Sequence, residues 1–296
     1  MSIIENALKK ASQKNLDFKP PEIIAENISP SISPVEGIKN DVNETHALDL
    51  ASDQKVDINW EQLAAEGFLD FNNTKSLLAE EFRVIKRPLV NNIQSAEVNG
   101  ISRANLILIC SSLPNEGKTF VSINLALSIA NELDKKVLLV DADVEKPSIS
   151  KQLRINPTIG LIEYLENEKI TFSDILLKTD LPNLSIIPAG KRHKYSTELL
   201  SSQRMFLFAE EVSRRYKDRI VIFDSPPLLV ATQAQILAEL VGQVVLVIGA
   251  EETPQSVVND AVAKLAKCDV VMTLLNKTRQ DFDLYGYGYG YGKYGQ

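Results

Sequence analysis

The 296-residue sequence predicts an α/β fold: a doubly wound, mostly parallel sheet with helices on both faces, preceded by an N-terminal helix and linker and followed by a flexible tail. Three observations predict it. Between Leu106 and Leu275, short and continuously apolar runs alternate with helix-patterned stretches, as strands buried on both faces do. The first of these runs leads through a Ser- and Pro-containing loop into Gly117-Lys118-Thr119 and an apolar helix. Two later runs end in aspartates, at Asp141 and Asp224.

Taken in order, Ser2 and Glu5 fit a capping box, and Ile3, Ile4, Ala7, Leu8 and Ala11 share one face of a short helix over 1–16. Alone it is too short to be stable, so it should dock within the chain or on a partner. Residues 17–75 read as a largely disordered linker, with Pro20, Pro21, Pro30 and Pro34 among Ser, Asn and Glu. Within that span, Trp60 to Phe71 carries apolar residues that can pack on a domain edge. The folded domain is expected over 76–276. It opens with a helix from Ser76 to Arg87, with Leu77, Leu78, Phe82 and Ile85 on one side, and Pro88 should end or bend it. Glu80, Arg83 and Lys86 recur along another flank, which is either a solvated charged face or a subunit contact.

Strands are expected at 106–110, 137–141, 184–188, 219–224, 243–249 and 269–275. Helices are expected at 118–133, 160–167, 171–178, 197–216, 232–241 and 254–267, the last with Thr253 and Pro254 at its first turn. The remaining 277–296 form a tail rich in Tyr and Gly.

Net charge of −7 gives no basic field for nucleic acid, and none is expected as a partner. Cys110 and Cys268 lie beside apolar runs without a C-x-x-C partner, as buried thiols in a reducing compartment do. His46 and His193 are far apart in sequence, which argues against a His-based metal site or catalytic triad. No run is long enough to span a membrane, and the N-terminus lacks signal-peptide character. A soluble, cytoplasmic protein is expected, with any membrane link made through a partner.

The strand–loop–GKT–helix order is the phosphate-cradling arrangement of P-loop nucleotide-binding proteins, although Ser112 stands where the simple pattern has its first Gly. Backbone N–H groups and the helix N-terminus favour an anion there. The expected nucleotide contacts are Ser112, Pro114, Asn115 and Glu116 in the loop, then Gly117, Lys118, Thr119 and Phe120 at the helix opening. Gly117 allows close approach, Lys118 reaches the terminal phosphates, and the Thr119 hydroxyl can ligate Mg²⁺. Carboxylates at the tips of apolar strands need a counter-charge, and a phosphate-bound Mg²⁺ supplies one. Asp141 and Asp143 form a D-x-D pair in which one acid can hold metal while the other accepts a proton from a hydroxyl nucleophile.

With GKT, D-A-D and D-S-P-P in this order, the chain resembles the bacterial tyrosine kinases. Within them it resembles the soluble autokinases encoded with exosortase-type exopolysaccharide loci. EEFRVIKRPL, SSLPNEGKT, LLVDADVEKPS, STELLSSQRM, IVIFDSPPLL, LLNK and the tyrosine-rich end carry the resemblance, which spans 76–296. It implies that ATP is bound and polarised by Lys118, that Thr119, Asp143 and Asp224 hold Mg²⁺, and that Asp141 is the base for an attacking tyrosine. Asn276 resembles the residue that reads the adenine edge in related ATPases. Those partitioning and ion-pump relatives carry an additional Lys early in the loop. Residues 111–116 have none, which favours a kinase.

The family's E-x-x-R-x-x-R ring contact appears as Glu80, Arg83 and Lys86, where Lys keeps the charge and loses the bidentate fork. Glu145 and Lys146 stand where relatives often have Arg.

Tyr285, Tyr287, Tyr289, Tyr291 and Tyr294 alternate with Gly, which denies the tail a stable helix and offers exposed phenols as phosphoacceptors. The resemblance implies a homo-oligomeric ring in which each tail enters a neighbour's site, and a membrane-embedded polysaccharide chain-length or co-polymerase partner. Phosphates of roughly −1.5 to −2 charges each should loosen such a ring. The competing expectations are a switch ATPase and a non-catalytic nucleotide-gated scaffold. The basic cluster Lys191-Arg192-His193-Lys194 reads as a solvated loop rather than an anion site.

Overall fold

The computed structural model describes residues 54–132, 134–215 and 219–278. The expected N-terminal helix and the tail tyrosines lie outside the described residues.

Within them, eight strands form one sheet. They are β1 (Lys55–Val56), β2 (Leu106–Ser111), β3 (Lys136–Asp141), β4 (Leu177–Thr179), β5 (Leu184–Ile187), β6 (Arg219–Asp224), β7 (Gln243–Gly249) and β8 (Val270–Asn276). The order is β1-β4-β5-β3-β6-β2-β7-β8, parallel throughout except for the β4–β5 pair. The six expected strands all form, within a residue of their expected ends.

Alternation along these strands sorts the core into two faces. Leu106, Leu108, Leu138, Val140, Val221 and Phe223 point to one. Ile107, Ile109, Val137, Leu139, Ile220 and Ile222 point to the other. On the first face lie α6 (Leu161–Glu166), α9 (Gln203–Arg215), α10 (Thr232–Ala238) and α11 (Gln255–Lys264). On the second lie α1 (Trp60–Ala65), α2 (Leu77–Gln94) and α4 (Lys118–Ala130). Each fully buried Leu, Ile or Phe in these clusters contributes roughly 1.5–3 kcal/mol over an exposed one. From Val121 to Ala130 every residue of α4 is buried, so this helix is enclosed on all sides. Both flanks of the phosphate-loop motif are therefore rigid.

Four expectations are corrected. The linker does not extend to residue 75. Asn59 caps α1 by accepting from Gln62 N at 2.9 Å, and Ile58, Leu63, Phe68 and Leu69 are buried in the second face's core. Trp60 Nε1 donates to Asp180 at 2.8 Å, and Leu69 N donates to Asn124 Oδ1 at 2.8 Å. Pro88 does not end its helix: α2 runs on to Gln94, because Pro88 and the turn holding Val84 face solvent, where water can take the freed carbonyl.

The expected helix 171–178 is α7 (Phe172–Ile175) followed by β4, and 197–216 is two helices, α8 (Ser196–Leu200) and α9. Besides α1, two short helices were not anticipated, α3 (Ala96–Asn99) and α5 (Ile149–Leu153). Among the described residues, no helix is long and apolar enough to cross a membrane.

Candidate functional site

The tips of β2, β3 and β6 lie side by side, and the sheet's register sets their acids. Asp141 is the direct partner of Asp224 across β3–β6, and Ile109 is the partner of Asp224 across β2–β6. The loop leaving β2 and the first turn of α4 therefore sit beside two carboxylates that are 0% exposed.

Around the GKT turn the contacts are direct. Lys118 Nζ lies 3.2 Å from Asp143 Oδ2. Thr119 Oγ1 donates to Asp224 Oδ2 at 2.7 Å and lies 2.8 Å from Ser148 Oγ. Ser122, a residue the sequence did not single out, donates to Asp224 Oδ1 at 3.0 Å from one turn into α4. Asp141 Oδ2 accepts from the backbone N–H groups of Ser148 and Ile149, each at 3.1 Å, and Asp143 Oδ1 accepts from Lys146 N at 3.1 Å. Lys118, Thr119, Asp141, Asp143 and Asp224 thus converge.

Burial dominates the electrostatics. It raises the Asp141 carboxyl well above the ordinary range, helped by nearby Asp224 and opposed by the Ile149 and Ser148 N–H groups. Burial also raises Asp224, to about 6, against the pull of Lys118 and the hydroxyls of Thr119 and Ser122. On the sheet face away from these acids, burial pushes the Cys110 thiol up to about 12, which makes it inert.

The other expected contact residues are held in different ways. Pro114 and Asn115 are exposed at the loop tip, with Asn115 left-handed at φ 68°. Phe120 turns its ring into an aromatic cluster with Phe68 (5.3 Å) and Phe82 (6.4 Å), away from the loop, because the first turn of α4 presents that position to α2. Glu116 is 3% exposed and bonded outward to the tip of β7 and the loop beyond it. Asn276 donates from Nδ2 to the Glu116 carbonyl at 2.9 Å, so its amide holds the loop. Gly117 must be glycine: its φ is 96°, and a Cβ there would lie 2.1 Å from Asn276 Nδ2.

Away from the loop, Glu80 and Arg83 are exposed and paired with each other. Lys86 is instead 9% exposed, donates to the Ser128 carbonyl at 2.9 Å and pairs with Glu132 at 2.6 Å. Lys86 is thus directed inward, which corrects its assignment to an exposed contact row. Glu145 accepts from Ser196 Oγ at 2.5 Å and from Gln233 at 3.4 Å, tying the loop after β3 to α8 and α10. In the basic cluster, His193 pairs with Glu166 at 3.3 Å and Lys194 lies 4.5 Å over the Tyr195 ring.

The donor set fits a magnesium-bound phosphate chain. Among the described residues, Ser112 Oγ and Asp141 Oδ1 are buried without a hydrogen-bond partner, and such atoms are costly unless something meets them. Among the described residues, no three His, Cys, Asp or Glu side chains close a metal cage by themselves. Mg²⁺ does not need one, since it takes one or two carboxylates and completes its shell with phosphate oxygens and water.

A parallel sheet with a GKT loop at the head of a buried helix, flanked by acid-tipped strands, defines a P-loop nucleotide-binding protein. A family model described as an AAA domain matches residues 105–269. The chain is 34% identical over 194 residues to the tyrosine-protein kinase YwqD of Bacillus subtilis, covering 66% of this chain and 78% of that protein. It is 32% identical over 211 residues to the succinoglycan biosynthesis transport protein ExoP of Rhizobium meliloti, covering 69% of this chain and 25% of that longer protein. Its fold matches the kinase domain of the Escherichia coli tyrosine kinase ETK with a TM-score of 0.55 at 29% identity, over 63% of this chain and 73% of that one. The chain belongs to the bacterial tyrosine-kinase family.

Proposed function

We propose that the protein is an ATP-dependent protein-tyrosine autokinase. It transfers the γ-phosphate to Tyr285, Tyr287, Tyr289, Tyr291 and Tyr294 of a neighbouring copy in a homo-oligomer, and so regulates exopolysaccharide synthesis or export. The observation that carries this reading is the convergence of Lys118, Thr119, Asp141, Asp143 and Asp224 at one loop. Membership of a kinase family, with one relative named for succinoglycan transport, supports the substrate class and the setting.

Thr119, Asp143 and Asp224 would hold Mg²⁺, which when bound neutralises phosphate charge. Lys118 exchanges Asp143 for the terminal phosphates and stabilises the charge spread over the transferred group. Ser112 and the N–H groups from Asn115 to Thr119 orient the phosphate chain. Asp141 takes the phenol proton as the phenolic oxygen bonds to phosphorus and the bond to the departing diphosphate breaks. Its Oδ1, which no hydrogen bond among the described residues engages, is the oxygen left to accept that proton. Glu80 and Arg83, exposed and paired with each other, would face the neighbouring copy.

The domain limits in this reading are a docking helix at 1–16, a linker ending before Lys55, the catalytic domain to Asn276 and the acceptor tail beyond it. The finer assignment is to the exosortase-associated subgroup. The protein would act at the cytoplasmic side of the membrane, through a membrane-embedded chain-length partner.

The test is to incubate purified protein with labelled ATP and Mg²⁺. The expected result is label on the tail, abolished by Lys118→Met and by Asp141→Asn. Release of free phosphate without protein label would replace the kinase with a switch ATPase, and neither product would leave a nucleotide-gated scaffold.

A further inference from the structure

Glu116 presents a chemical puzzle. A carboxylate immediately before a GKT turn would repel a triphosphate if it faced the loop's interior. The structure turns it the other way and encloses it at 3% exposure. Oε2 accepts from Leu113 N at 2.5 Å, across the loop itself. Oε1 accepts from Gly249 N at 3.3 Å and from Thr253 Oγ1. The same residue's backbone carbonyl accepts from Asn276 Nδ2. Gly249 and Asn276 are register partners at the tips of β7 and β8, and Ala250 N donates to the Asn276 carbonyl at 2.8 Å. One residue therefore ties the loop to both strand tips on the side away from Asp141 and Asp224. The charge serves to accept three donors at once, which a neutral side chain of this length cannot do.

We propose that Glu116 is a positioning residue for nucleotide. Its carboxylate fixes the curvature of the loop from Leu113 to Gly117 and locks it to the 249–253 segment, without touching phosphate or metal. The inference rests on the nucleotide-binding reading of the loop and assigns Glu116 a role different from the direct contact expected from the sequence. Removing the strut leaves Lys118 and the acids in place but lets the loop N–H groups lose their common aim, so the loss appears in nucleotide affinity before it appears in turnover.

The test measures ADP affinity of the full-length protein by calorimetry, with and without Mg²⁺, alongside thermal melts. Glu116→Ala is expected to weaken ADP binding by about tenfold or more, by a similar factor with and without Mg²⁺. Glu116→Gln should recover part of the loss: its amide oxygen can accept from Leu113 N and its amide nitrogen can donate to the Thr253 hydroxyl, while Gly249 N goes unserved. Thr253→Val, outside the loop, should weaken binding by a smaller factor and be non-additive with Glu116→Ala. In labelling assays, KM for ATP should rise more than kcat falls.

Unchanged affinity in Glu116→Ala, or a loss confined to the Mg²⁺ condition, would overturn the proposal. If Glu116→Ala does not fold, Thr253→Val decides: additivity with Glu116→Gln, or unaltered ADP binding, overturns it. Wild-type protein that binds no ADP would overturn the nucleotide reading itself, a distinguishable result.

Discussion

At the scale of single residues, the site is held together by groups that repel one another. Asp141 and Asp224 are neighbours in register, both fully buried, and both hold their protons more tightly than a free aspartate. A carboxyl whose folded pKa lies above its unfolded value binds more protons folded than unfolded, so it removes stability as pH rises through that interval. For Asp224 the interval runs from the ordinary 3.8 to about 6, a penalty on the order of 3 kcal/mol above it. Asp141→Asn removes one charge and relieves the other. With chelator present and no nucleotide, the variant is expected to melt several degrees above the parent at about pH 8, and the gap should close toward about pH 4.5. Thermal unfolding at the two pH values checks this, and an equal gap at both would refute it. The acids were legible in the sequence because each ends an apolar run. Ser122 was not, since nothing in a buried serine's neighbourhood along the chain marks what it faces, and its partner is a hundred residues away.

Among the elements, the central strands were readable because parallel strands covered on both faces must be apolar without interruption. The short β4 was not: its three residues follow the capped turn of α7, and pairing with β5 on one side and β1 on the other makes them a strand. The two-residue β1 carries no period at all. Pro88, expected to end or bend its helix, does not end it, because the lost bond faces water. The helix nevertheless bears that cost. Pro88→Ala should restore a backbone bond to Val84 and stabilise the protein by about 1–2 kcal/mol, after allowing for the freer unfolded chain. Denaturant unfolding with an unchanged slope would show it, and a lower midpoint would contradict the solvent-facing account.

For the molecule as a whole, the boundary matters most. A reading by composition starts the domain at Ser76, whereas the fold starts it before Lys55. The difference lies in Ile58, Leu63, Phe68 and Leu69, which cover α4 and its neighbours on one face of the sheet. A variant beginning at Ser76 would bare that face. It is expected to melt more than about 10 °C below one beginning at residue 54, or to aggregate on purification. Equal melting temperatures would show that the early segment only decorates the domain. The composition was misleading because the four anchors are scattered among polar residues and gain meaning only from the surface that receives them.

The paired aspartates also bear on the protein's lifetime. An empty site that works against its own fold makes the unoccupied chain the one that opens most often, and open chains are what proteases digest. A ligand that quiets the two charges protects every copy it fills. Starvation for that ligand would then thin the population by turnover, without any separate signal.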